Sequence, residues 1–105
     1  PALARALAAT EAQAAGSPRF GDIAGETGQS PRALARRFAE EIGMSWGEAL
    51  RRIRVIRAVE ALAMTADPVT SIAYDVGYAS LPAFNAAFRA LMGQTPGEYR
   101  ASFRA

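Results

Sequence analysis

Apolar residues along the chain recur three and four positions apart, and no stretch alternates polar and apolar residues over the length of a strand. Leu34, Phe38 and Ile42 fall at i, i+4 and i+8, the narrow stripe of a helix that ends at Gly43. Ser30-Pro31 starts it, with a capping hydroxyl followed by proline at the first helical position. Just before, Ile23 and Ala24 mark a short helix closed by Gly28, a residue free to take positive φ. Further along, Asp67-Pro68 opens a helix carrying Ile72, Ala73 and Val76; Gly77 ends it, and Ser80 caps a helix whose stripe is Phe84, Phe88, Leu91 and Met92. Between these, Ser45-Trp46-Gly47-Glu48 is a capping box opening a long helix to about Met64, with Leu50, Ile53, Ile56 or Arg57, and Leu62 as its periodic positions. The box recurs at Thr95-Pro96-Gly97-Glu98 and starts a last short helix with Tyr99 and Phe103. At the other end, Pro1 to Ala15 reads as an Ala-rich helix with Leu3 and Leu7 on one side, stopped by Gly16-Ser17-Pro18. The expected fold is all-α, with about seven helices.

The pattern is duplicated. Asp22-Ile23-Ala24 with Gly28 matches Ser71-Ile72-Ala73 with Gly77 at an offset of 49, and after one extra residue near Ala79 the offset becomes 50. Ser30 then pairs with Ser80, Leu34 with Phe84, Phe38 with Phe88, Gly43 with Gly93, Ser45 with Thr95, and Gly47-Glu48 with Gly97-Glu98. Each copy is a short helix, a turn containing Gly and a second helix, which is the helix-turn-helix arrangement. The chain therefore reads as one domain over 1–105, with a first helix-turn-helix at 17–43, a linker helix at 45–64, and a second helix-turn-helix with a terminal helix at 67–103.

Composition narrows the chemistry. The 105 residues contain no Cys and no His, which excludes a thiolate zinc site, a cysteine nucleophile and a Ser-His triad. The adjacent carboxylates Glu40 and Glu41 point in different directions on a helix and have no His or Cys to complete a site, so no enzyme is expected and no cofactor or metal is called for. No apolar run is long enough for a bilayer, and the N-terminus has no signal-peptide pattern, so the chain is expected in a reducing cytoplasm and away from membranes. It begins at Pro1 rather than Met, which points to a piece of a longer protein with a sensor or oligomerisation domain elsewhere.

Net charge is only +2, yet all 12 cations are Arg. GC-biased coding also produces Ala- and Arg-rich chains, so the absence of Lys is no functional signal on its own. The distribution is more telling: residues 1–31 carry net −1, residues 32–57 carry +4 and residues 58–105 carry −1. A basic segment of this kind is the footprint expected of phosphate contacts. On a helical wheel with Leu34 at about 0°, Arg36 lies near 200° and Arg32 near 160°, both away from the core, while Arg37 near 300° suits a phosphate or an intramolecular acid. Arg32 and Arg36 sit four apart near the N-terminus of the second helix of the unit, the part that reaches base edges, where Arg grips guanine O6 and N7. The matching positions of the second unit are Pro82, Ala86 and Ala87, flanked by Asn85 and Arg89. The expected base contacts are Arg32, Arg36, Asn85 and Ala86. The expected phosphate contacts are Ser30, Arg37, Ser80, Arg89 and Arg54.

The C-terminal unit resembles the AraC/XylS family of bacterial transcription regulators, through Ile72-Ala73, Val76-Gly77-Tyr78, Ser80, Phe84, Phe88-Arg89, Gly93, Thr95-Pro96 and Tyr99-Arg100. The resemblance extends from about Leu3 to Phe103. It implies two helix-turn-helix units bridged by a long helix, whose recognition helices enter successive major-groove segments of double-stranded DNA. It also implies an effector-binding or dimerising domain N-terminal to this module, and RNA polymerase as a partner in activation. Members commonly read bases from positions matching Arg32, Ala35 and Arg36, and then Leu81, Pro82, Asn85 and Ala86; Ala35 and Ala86 lack the long polar side chain often found there. Ile72, Phe84, Phe88 and Tyr99 are expected to pack rather than to touch a ligand. The competing reading is a helical protein-interaction module without DNA binding, docking through Leu81, Pro82 and Ala83 or through the N-terminal helix.

Overall fold

A computed structural model describes residues 2–103. The helices are α1 (Ala2–Gln13), α2 (Phe20–Glu26), α3 (Pro31–Arg37), α4 (Trp46–Met64), α5 (Val69–Asp75), α6 (Leu81–Met92) and α7 (Pro96–Phe103), with a π-helical turn at Phe38–Ile42 directly after α3. No strand occurs among the described residues. Pro1, placed in the first helix by the sequence pattern, lies outside them. The chain divides into two compact units, one up to Arg51 and one from Arg52 onward.

In the first unit, α1, α2 and α3 close over Ala6, Ile23, Ala24, Leu34, Phe38 and Ala49, with Leu3, Leu7 and Ile42 packed at the edge. One buried polar group is satisfied on both sides: the Thr10 hydroxyl donates to the Ala6 carbonyl at 2.7 Å and accepts from Trp46 Nε1 at 2.9 Å. This bond ties the start of α4 to α1, at the small net gain typical of a fully paired buried hydroxyl.

The second helix of this helix-turn-helix departs from the expected regular helix to Gly43. Its last five residues widen into the π turn, and the Gly43 N–H donates to the Phe38 carbonyl at 2.9 Å, five residues back. Leu34 and Phe38 are fully buried, and Ile42 packs at the edge of the same cluster. A stripe at i, i+4 and i+8 accommodates either winding over a single turn.

In the second unit the core is Val55, Ala58, Leu62, Ile72, Ala73, Val76, Phe84, Ala87 and Phe88. An unbroken series of aromatic contacts runs beside it, from Tyr78 to Phe84 (5.6 Å between centroids), Phe88 (5.8 Å), Tyr99 (5.8 Å) and Phe103 (5.0 Å). Ring pairs at these separations add to the burial of their area. The sequence reading of α4 is right at Leu50 and Leu62, which are buried, and needs correcting in between: Ile56 is 58% exposed, and the buried positions there are Val55 and Ala58. Both sets have helical spacing, and in a helix with apolar residues on several sides only the partner surface decides which one is covered. In the last turn of α4 and just beyond it, Arg100 of α7 donates to the carbonyls of Leu62 (3.3 Å), Thr65 (3.2 Å) and Asp67 (2.6 Å).

Candidate nucleic-acid interface

Each unit presents its second helix through the same backbone device. At the end of α2, the Gln29 N–H reaches back to the Ala24 carbonyl at 3.0 Å, and the Gly28 N–H to the Gly25 carbonyl at 3.1 Å. At the end of α5, the Tyr78 N–H bonds the Ala73 carbonyl at 3.0 Å, and the Gly77 N–H the Tyr74 carbonyl at 3.0 Å. This is the Schellman motif, which needs a left-handed residue after the helix; Gly28 has φ 72° and Gly77 φ 114°. The chain then turns straight into a new helix. The Ser30 hydroxyl accepts from the Ala33 N–H at 3.1 Å and Ser80 from the Ala83 N–H at 3.2 Å, with proline in the first turn of both helices. Capping occupies an acceptor position of each serine and leaves its O–H able to donate to a phosphate oxygen.

The face beyond the cap differs between the units. On α3, Leu34 is buried while Arg32, Ala35, Arg36 and Arg37 are exposed. Arg37 is engaged by Glu41 at 3.2 Å, and on α4 Arg51 is engaged by Glu48 at 2.7 Å. Such exposed pairs are weak and are exchanged readily for a phosphate. Among the described residues, Arg32 and Arg36 form no hydrogen bond or ion pair. The basic segment seen in the sequence thus resolves into uncommitted cations on α3 and cations already engaged elsewhere.

On α6 the exposed positions are Pro82, Ala83, Ala86, Arg89, Ala90 and Met92, with Asn85 half-buried. The Arg89 charge lies near Glu98, whose carboxyl is held below the usual carboxylate range mainly by hydrogen bonds from the Thr95 N–H and hydroxyl, with Arg89 acting in the same direction. Arg54 is the residue whose setting the sequence did not disclose. Its guanidinium lies 5.2 Å from the centre of the Tyr78 ring, at the turn before α6, and partial burial lowers its pKa from the ordinary arginine value. The spacing within α4 carried no signal for this contact, because Tyr78 is 24 residues away. Sequence reasoning also missed an apolar groove of about 480 Å³ in the first unit, lined by Phe20, Ala35, Ala39, Met44 and Trp46, beside the exposed side of α3.

Residues 23–102 match the family described as "Helix-turn-helix domain". A solved regulator from Chromobacterium violaceum, described as containing an AraC-type DNA-binding domain, superimposes with a TM-score of 0.93 at 30% identity, covering 98% of this chain and 92% of that one. The chain belongs to the AraC-type helix-turn-helix family. The DNA-binding domain of the transcriptional factor AdpA, solved in complex with a target DNA, superimposes on this AraC-type domain with a TM-score of 0.91 at 27% identity, covering 97% of this chain and 92% of that one. A putative AraC-like transcription regulator of Streptomyces lividans is 35% identical over 100 residues, which is 95% of this chain and 33% of that protein. This AraC-type domain spans about a third of the length of that regulator and of similar ones from Streptomyces antibioticus, Mycobacterium tuberculosis and Escherichia coli. No described helix is long and apolar enough to cross a membrane.

Proposed function

We propose that this AraC-type domain is the sequence-reading part of a bacterial transcription regulator and binds double-stranded DNA in the major groove through α3 and α6. The observation that carries the reading is the pair Arg32 and Arg36, exposed one turn apart at the capped start of α3 and uncommitted among the described residues. Arginine in that position makes a bidentate contact to guanine worth about 1–3 kcal/mol of discrimination. Asn85 and Ala86 are the corresponding base contacts on α6. Phosphate contacts come from the O–H of Ser30 and Ser80, from Arg37 after exchange of Glu41, and from Arg89. Arg54 serves the turn before α6 through Tyr78 in preference to the phosphate role read from the sequence. In the longer regulator, effector binding belongs to a separate domain, and RNA polymerase is the partner in activation, in the cytoplasm.

A salt titration of binding to a selected duplex tests the reading. Affinity should fall steeply with salt, and Arg36→Ala should relax a guanine preference at one position. Replacing Arg32 and Arg36 together should cost more discrimination than replacing Asn85 and Arg89. Salt-insensitive association, or equal losses from the two double variants, would overturn it.

A further inference from the structure

The two recognition helices have the same serine cap, a Schellman turn before it and a buried stripe at the same spacing, yet their outward faces differ at the matching positions. Where α3 exposes Arg32 and Arg36, α6 exposes the ring of Pro82 and the methyl of Ala86 at the matching positions, with Ala83 and Ala90 beside them. Along the whole of α6 the one exposed charged side chain is Arg89, three quarters of the way down the helix. The side chains of Pro82, Ala83 and Ala86 have no donor to offer guanine O6 and N7, and no acceptor for the amino groups of cytosine or adenine. It has two assets. Side chains that end at Cβ, or in a compact ring, let the helix backbone approach the groove floor more closely than a helix bearing arginines. Apolar carbon at that depth meets the one apolar group in the major groove, the C5-methyl of thymine.

We infer that α6 selects its half of the operator by burying thymine methyl groups against Pro82, Ala83 and Ala86, so that the two halves of the site are read in different chemical languages: guanine acceptors by α3, pyrimidine methyls by α6. The inference rests on the reading of α3 and α6 as major-groove helices. Beyond that reading it fixes the base class of the second half-site and makes Ala86 a specificity-determining residue despite its lack of any polar atom. Asn85, half-buried beside this surface, is placed to hydrogen-bond an adenine paired with one of those thymines.

The test begins with duplexes selected by the domain from a random pool. Bases whose selection relaxes on Arg32→Ala and Arg36→Ala belong to α3, and the remaining selected bases belong to α6. Each thymine is then replaced singly by deoxyuridine, which leaves charge and base pairing intact and removes only the methyl. Burial of one methyl corresponds to about a three- to fivefold loss of affinity when it is removed. That loss is expected at one or two thymines in the α6 half and at none in the α3 half. In Ala86→Gly the same replacement should cost less than in the parent, because part of the surface the methyl met is gone, with a thermal melt confirming that the variant is folded; an undiminished cost would remove Ala86 from the contact. Exchanging the critical thymine for cytosine should weaken binding, and 5-methylcytosine at the same place should restore part of it. An α6 half without selected thymines, or deoxyuridine without effect at every position, overturns the inference while leaving the DNA-binding reading intact. Failure to select any duplex removes both.

Discussion

Arg100 offers the most exacting test of how the second unit is held together. Its guanidinium spends three donors on three main-chain carbonyls, those of Leu62, Thr65 and Asp67, at 3.3, 3.2 and 2.6 Å. Leu62 lies in the last turn of α4, where carbonyls lose their intrahelical partners, and a cation there also opposes the negative end of the helix dipole. A buried charged hydrogen bond contributes about 1.5–3 kcal/mol, but the contact to Asp67 is exposed and the other two are only partly buried. Discounting for solvent, Arg100→Ala should cost about 2–3 kcal/mol, and for a two-state domain near this size that is a drop in Tm of roughly 8–20 °C. Arg100→Lys supplies a point charge that cannot span three acceptors and should recover less than half of the loss. Urea unfolding followed by circular dichroism measures both variants. A loss below about 0.5 kcal/mol for Arg100→Ala, or equal stability of Arg100→Lys and the parent, would refute the account of a three-pronged clasp.

Three further outcomes follow from the same structure. Gly28 sits at φ 72° with open space where a Cβ would be, so Gly28→Ala pays only for backbone conformation, about 1–2 kcal/mol, and Gly28→Asn should pay less; an alanine variant as stable as the parent would contradict this. The Glu98 carboxylate is favoured in the folded chain by its bonds from Thr95, so its contribution is complete above the ordinary glutamate value of about 4.3 and is lost as pH falls through the lower folded value. Acid titration of stability should therefore be shallower in Glu98→Gln than in the parent, and identical profiles would count against the capping box as its cause. Arg54→Ala should weaken DNA binding without changing its salt slope, because Arg54 works through Tyr78; a slope smaller by about 0.9 would make it a phosphate contact instead.

Much of this was legible in the sequence because it is local. Ser30, Ser80, Gly28, Gly77 and both capping boxes act over two to five residues, and each is realised where its spacing put it. The duplication helped, since a signal that is weak in one copy is repeated in the other. The long helix was read to about Met64, with Leu50 and Leu62 rightly on its buried face, but the middle of that face was missed because Val55 and Ile56 are equally apolar neighbours pointing to different sides. The π turn was invisible for a related reason: Phe38 and Ile42 stay on the apolar side under either winding. The clasp of Arg100 and the contact of Arg54 with Tyr78 join residues 24 to 38 apart, and no periodicity within a helix encodes such partners. Arg32 and Arg36 were read as outward-facing and are exposed. The distinction between them and the other arginines of the basic segment came only from the side-chain positions.

The paired Schellman turns and serine caps divide labour along the chain in a way that bears on how such a domain changes over time. Everything that shapes the entry to a recognition helix is carried by main-chain bonds, a glycine, a serine, a first-turn proline and a buried stripe, whereas the side chains of Arg32, Arg36 and Ala86 are exposed and take no part in it. One copy therefore carries charge at these positions and the other a methyl group or a ring, on the same frame. A regulator built this way can be retargeted to a new promoter by a handful of surface substitutions, each tested by selection one at a time on an unchanged chassis.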